Sequence, residues 1–267
     1  MIVKKIFIAC GMVMLLTWSG CKGGKGLGLN FFSLQDDIAL GKQVSQEIES
    51  DSKTYPILPE AGNREAYAYV RGITKRILDS GKVQHANDFV WQVKLIDDNE
   101  TLNAFCTPGG YIYVYTGLIK YLDSEDQLAG VMGHEIAHAA LRHSTRQMTK
   151  IYGAQTLVQV ATGKADPGLL SQIAVGLINL KFSRGHETES DNGSVDYLCA
   201  TGYNAAGAAG FFKKIEAESS GGGSPEFLST HPSPKNRVEN IEKKAREKGC
   251  KGRETNRTEY AKIKKLL

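Results

Sequence analysis

Apolar residues recur three and four positions apart from Asp37 to Ile48 and again from Asn63 to Leu78, the spacing of two helices that each bury one face. Thr54 to Gly62, with two prolines and a glycine, joins them. The pattern then changes period. Phe89 to Ile96, rich in β-branched and aromatic residues, predicts a strand, and Asp97 to Glu100 is a turn cluster. Behind Pro108-Gly109-Gly110, Tyr111 to Tyr115 predicts a second strand. A helix is expected from about Ser124, where Ser124 and Gln127 have capping-box spacing, and it carries an apolar run from Leu128 to Leu141. Met148 to Leu180 predicts one or two core helices, interrupted at Gly163 to Gly168. Helices follow at Glu187 to Ala200 and Ala205 to Ala217, then a flexible segment from Ser219 to Pro225. The chain from Pro234 onward is basic, and a charged, solvated helix is its default. These elements predict an α+β fold, mostly helical, with a small sheet beside the Leu128–Leu141 helix.

That helix carries the chemistry. Its sequence His134-Glu135-Ile136-Ala137-His138 has the H-E-x-x-H form. Residues four apart share a helix face, so His134 and His138 can offer two imidazole nitrogens to one zinc ion. Glu135 is turned about 100° from His134, which lets its carboxylate reach a water on the metal and act as its base. Two surface histidines on an ordinary amphipathic helix would be the bland alternative. Both fall in an apolar run, however, where an unpaired imidazole is costly.

A catalytic zinc needs a third protein ligand. The pattern H-E-x-x-H-x-x-G-x-x-H would require glycine at position 141 and histidine at 144, where the chain has Leu141 and Ser144. His143, five residues past His138, would face away on a continuous helix and is expected to be structural or to sit behind the ligands. A glutamate from a later helix is the other solution. In Ser183-Arg184-Gly185-His186-Glu187-Thr188-Glu189-Ser190-Asp191, Glu187 and Asp191 share a face while Glu189 points about 200° from Glu187. Glu187 is therefore the expected ligand, with Asp191 accepting the second N–H of a ligand histidine.

Length changes the picture little: 267 residues suit one large domain with extensions. The net charge of +4 and ordinary aromatic content call for no nucleic-acid partner. The N-terminus matters more. Lys4 and Lys5 precede an apolar stretch from Ile6 to Trp18, too short for a comfortable membrane span, so residues 1–20 are expected to be a signal peptide. Trp18-Ser19-Gly20-Cys21 resembles the lipobox of bacterial lipoproteins, with Trp18 where leucine is preferred, and the resemblance implies acylation of Cys21. Residues 21–32 would then be a linker. Cys106, Cys199 and Cys250 remain in an oxidising compartment, an odd number that allows one pair the sequence does not name.

HEIAH with Arg142-His143, then Ser183-Arg184 and the pair Glu187 and Asp191, resemble the zinc metallopeptidases of the HtpX/BepA-like group, metallopeptidase family forty-eight, whose relatives include the CAAX prenyl proteases. Asn103-Ala104-Phe105 with Pro108-Gly109-Gly110-Tyr111-Ile112-Tyr113-Val114 is similar to the group's segment ahead of its substrate-binding edge strand. Thr230-His231-Pro232-Ser233-Pro234 with Arg237 is similar to its T-H-P-x-P segment. The likeness runs from about Leu95 to Ile241. It implies a zincin-like core over residues 33–250 with a basic tail at 251–267, and one zinc per chain on His134, His138 and Glu187. It implies substrate contacts at Asn103, Gly110, Tyr111, Ile112 and Tyr113, and cleavage of unfolded or misassembled envelope proteins. The exported lipoprotein members without a tetratricopeptide tail match best, and Lys22 after Cys21 implies the periplasmic face of the outer membrane. Ser190 replaces the group's usual alanine, and Asn192-Gly193 stands where helix formers are expected.

Under this expectation a peptide lies extended along Tyr111 to Tyr115 and is cut by metal-activated water. His231, between a glycine-rich segment and Pro232, is a candidate for stabilising the oxyanion or for filling the fourth zinc position at rest; Arg237 is a weaker candidate for an oxyanion or site-shaping role. Two competing classes are a zinc-stabilised lipoprotein holdase without hydrolysis, and a zincin acting on a small molecule or peptidoglycan peptide.

Overall fold

The strand Tyr111–Tyr115 (β3) has tyrosines at its odd positions and Ile112 and Val114 between them, so neither face is polar. A strand apolar on both faces is stable only when covered on both. The computed structural model, which describes residues 30–161, 164, 166–218 and 226–267, places it accordingly in the middle of a three-stranded sheet. It pairs in parallel with Gln92–Ile96 (β1) and antiparallel with Ala104–Thr107 (β2), with Leu95 opposite Val114 and Phe105 opposite Tyr113. The expected residues 1–20, Cys21 and the segment 219–225 lie outside the described residues.

Helices cover the two faces. Ile112 and Val114, with Val93 and Leu95, bury against helices α2 (Arg64–Leu78) and α4 (Glu125–Ala140). The tyrosine face buries against α1 (Leu34–Ser50) and α6 (Pro167–Ile178), where the Tyr113 hydroxyl donates to Ser45 Oγ at 2.9 Å. Between β3 and α4 runs the short α3 (Thr116–Tyr121). After α4 come α5 (His143–Ala161), α6, α7 (Arg184–Cys199), α8 (Gly207–Glu218), α9 (Glu226–Thr230), α10 (Arg237–Glu247) and α11 (Arg257–Lys264). The expected α+β class, mostly helical with a small sheet against the HEIAH helix, is what forms.

Several local expectations differ from the outcome. The first strand begins only at Gln92, because Phe89 N–H bonds back to His85 C=O and Trp91 has φ +49°. Strand β2 and helix α3 carry no amphipathic period and went unpredicted. Ser124 does cap α4, but no capping box closes: its hydroxyl donates to Asp126, and Gln127 Oε1 accepts from Asp123 N–H instead. Residues 30–32 are docked rather than free, with Asn30 Nδ2 donating to Thr145 Oγ1 and Phe32 buried. The basic stretch 251–267 also folds back, for Tyr260 is fully buried and its hydroxyl donates to Ile119 C=O. Cys199 and Cys250 form the disulfide, and Cys106 is a buried free thiol.

Helix α4 packs most extensively against α7. Gly193 makes the approach possible, since a Cβ there would stand 2.7 Å from Ala137 Cβ. Ser194 Oγ donates across the contact to Gly130 C=O at 2.7 Å. The glycine that sequence considerations place as a weak point of its helix is thus what lets the helices of His134 and Glu187 meet.

Candidate metal centre

One turn of α4 sets His134 and His138 on the same face, with their Nε2 atoms 3.0 Å apart. Ser183 caps α7, accepting from His186 N–H, and Glu187 sits in that helix's first turn. Glu187 Oε2 lies 3.4 Å from His134 Nε2, and its Oε1 3.3 Å from His138 Nε2. Just past α9, His231 brings Nδ1 to 3.4 Å from His134 Nε2 and 3.2 Å from Glu187 Oε1. A tetrahedral zinc with bonds of about 2.0–2.1 Å holds its donors roughly 3.3 Å apart, so the spacings fit that ion, as does a set of imidazoles and a carboxylate. All four side chains are at most 1% exposed.

Behind each α4 histidine stands a different support. His134 Nδ1 is 2.8 Å from Asp191 Oδ1, and Asp191 in turn accepts from Arg237 Nε at 2.9 Å and Nη2 at 2.8 Å. The Arg237 guanidinium also donates to Glu187 Oε2 at 3.1 Å and lies 3.7 Å from the centre of the Phe212 ring. His138 Nδ1 is 3.0 Å from Nδ1 of His143, which is fully buried. His143 does not face away: α4 ends at Ala140, Arg142 takes φ +59°, and the turned chain swings His143 back onto His138. The Arg142 side chain locks that corner by donating to Asp37 and to Phe32 C=O.

Glu135 is buried, and its Oε1 has no hydrogen-bond partner among the described residues, lying 3.6 Å from His231 Nε2. Burial pushes its carboxyl above the ordinary range, suiting a group that must take a proton and later return it. For Glu187, burial is outweighed by His134, His138 and His231, which hold it well below the usual range. Burial disfavours an imidazolium at His134, yet Glu187 and Asp191 raise it to about 9 in the metal-free site. His138, by contrast, is pushed well below the ordinary histidine range by burial.

A family model described as Peptidase family M48 matches residues 64–245. The chain belongs to this family. It is 34% identical over 179 residues to the mitochondrial metalloendopeptidase OMA1 of Schizosaccharomyces pombe, covering 65% of this chain and 51% of that protein. It is 28% identical over 265 residues to the Escherichia coli metalloprotease LoiP, covering 93% and 99%. Against the β-barrel assembly-enhancing protease of Escherichia coli it is 29% identical over 179 residues, covering 61% and 36%. The chain thus spans about half of the first of these and almost all of LoiP. The likeness to the HtpX/BepA group is borne out.

The M48 core also shows what the sequence misplaced. The strand of Tyr111, Ile112 and Tyr113 is not a free edge: β3 bonds to a neighbour on each side, so no peptide can add along it. Gly110, with φ +88°, belongs to the turn into β3 and packs on Trp91. The outer strand beside α4 is β2, whose four residues are all buried and which pairs with no second strand among the described residues. Asn103 C=O accepts from Tyr115 N–H, and by antiparallel alternation Ala104 and Cys106 turn their backbone groups outward. Asn103 Oδ1 accepts from Ala104 N–H at 2.9 Å. Two contributors went unassigned: Phe182, whose ring lies 4.0 Å from that of His138, and Glu189, 3.0 Å from His143 Nε2. Glu189 is not among the four converging donors; its partner is His143, the imidazole behind His138.

Proposed function

We propose that the protein is a zinc-dependent endopeptidase of the cell envelope that cleaves unfolded or misassembled polypeptides, held to the membrane through a lipid on Cys21 at the periplasmic face of the outer membrane. Its relatives are named metalloendopeptidase, metalloprotease and protease, and among the described residues no helix is long and apolar enough to cross a membrane. The observation that carries the catalytic half is Glu135, a buried carboxyl beside the donor cluster with one oxygen unpaired, an expensive arrangement that a purely structural zinc would not need.

His134, His138 and Glu187 would hold the zinc, which when bound supplies Lewis acidity and lowers the pKa of water. Glu135, beside the cluster, would accept the proton of the attacking water and pass it to the leaving amine. An extended peptide pairs with the outward backbone of Ala104 and Cys106 on β2, displacing Asn103 Oδ1 from Ala104 N–H, and so is recognised more by backbone than by side chain. His231 stands where a fourth donor belongs, which supports the role of resting ligand that withdraws for substrate. Arg237 shapes the site through Nε and Nη2, which bond Asp191 and Glu187, and its buried Nη1, without a hydrogen-bond partner among the described residues, is the donor left for an oxyanion.

The four-donor convergence itself favours a second account, a closed structural zinc in a non-hydrolytic holdase. A casein-cleavage assay separates the two. Wild type should cleave, Glu135→Gln should lose at least about a hundredfold in rate, and chelation should abolish cleavage. Undiminished cleavage by Glu135→Gln would end the peptidase account.

A further inference from the structure

His138 does not end its contacts at the metal side. Its Nδ1 lies 3.0 Å from His143 Nδ1, and the far nitrogen of His143, Nε2, lies 3.0 Å from Glu189 Oε2. Ser190 Oγ reaches His143 Nδ1 at 3.3 Å, and His186 stacks on the His143 ring at 4.4 Å with an interplanar angle of 12°. The His143 side chain is fully buried, whereas that of Glu189 is 42% exposed. The chain carboxylate, imidazole, imidazole therefore begins at solvent and ends at the zinc donors.

We propose that His143 and Glu189 are positioning residues that fix the tautomer and ring orientation of His138, doing for that ligand what Asp191 does for His134. The proposal rests on the zinc assignment above. Hydrogen-bond polarity carries the argument. Two facing Nδ1 atoms can bond only if one carries the proton and the other does not. A ligand imidazole donating Nε2 to a metal keeps its proton on Nδ1, so His138 is the donor and His143 the acceptor. A neutral His143 with Nδ1 bare carries its proton on Nε2, and a carboxylate acceptor stands there. Every position in the chain is thus satisfied by one arrangement of protons. In the metal-free protein the Glu189 carboxylate still places the His143 proton on Nε2, which leaves Nδ1 bare to accept from His138.

Charge explains why an imidazole stands between. Glu135, Glu187 and Asp191 already surround the centre, and zinc together with Arg237 balances them. A fourth carboxylate directly on His138 would leave the buried site negative, and burying excess charge is costly. Routing the contact through His143 supplies the acceptor and leaves the fourth charge at the surface.

The test is zinc affinity by chelator competition, paired with long-range 15N NMR of the histidine rings. His143→Leu should weaken zinc binding about 10–100-fold, and His143→Gln, whose amide oxygen still accepts from His138, should recover most of it. Because position 143 is buried, the surface position gives the safer comparison: Glu189→Ala should weaken binding several-fold and Glu189→Gln less than about twofold, since Gln still accepts from His143 Nε2–H. The NMR should show His143 protonated at Nε2 and bare at Nδ1, with or without zinc. A proton on His143 Nδ1, or wild-type affinity in both Glu189→Ala and a folded His143→Leu, overturns the proposal. If wild type itself binds no zinc, the peptidase account fails, and the tautomer of His143 in the metal-free protein still decides this one.

Discussion

The two histidines of α4 are one helical turn apart and chemically equal in sequence, yet their surroundings differ. Behind His134 lies a buried carboxylate, Asp191, clamped on both oxygens by the fully buried Arg237. Behind His138 lies a neutral imidazole whose carboxylate partner, Glu189, is at the surface. The first arm is part of the core; the second is a branch laid over it. A metal ligand's acceptor can therefore double as a structural ion pair or be kept apart from fold stability, and this M48 centre does both.

The largest expected break is on the first arm. Asp191→Ala leaves Arg237 buried with only Glu187 to balance it, which should cost about 3–5 kcal/mol in urea unfolding of the metal-free protein. Next, Gly193→Ala places a methyl where only 2.7 Å separates it from Ala137 Cβ, forcing α7 away from α4. A loss of about 1–3 kcal/mol is expected, together with weaker zinc binding through both arms at once. If that variant matches wild type in both measurements, the close approach of the two helices is not what assembles the site.

The third prediction concerns protons. His134 is raised to about 9 in the metal-free site, so below that pH it holds a proton that zinc must displace. Zinc affinity should fall as the pH drops below about 9, by up to about 1.4 kcal/mol per unit. Calorimetry in buffers of different ionisation enthalpy near pH 7.5 should report about one proton released. Asp191→Asn should reduce that release by removing an anion from His134, and Glu189→Gln should leave it unchanged. The smallest effect belongs to the second arm: Glu189→Ala should change urea stability by less than about 1 kcal/mol, because a solvated carboxylate 42% exposed contributes little to the fold.

Residue spacing made much of the centre legible. The i, i+4 relation within α4 and again within α7 depends on helix geometry alone, so His134, His138, Glu187 and Asp191 could be placed on their faces without knowing the fold. What failed depends on turns and neighbours. Arg142 at φ +59° breaks the helical angle on which the placement of His143 rested. The strand order could not be read from one strand, although Tyr111 to Tyr115, apolar on both faces, carried the signal of a central position. Strand β2 and helix α3 are short and buried without alternation, so no period marked them. The role of Gly193 appears only when a second helix is laid against it. The cysteine pair was open because residues 199 and 250 meet only through tertiary packing.

The account's central claim is that side chains from α4 and α7 jointly hold one zinc ion. Metal analysis of the purified, zinc-reconstituted protein beside its Glu187→Ala variant tests it most directly. The account predicts about one zinc per wild-type chain and a large loss in the variant at unchanged helical content. A folded Glu187→Ala protein that retains zinc as fully as wild type would contradict it.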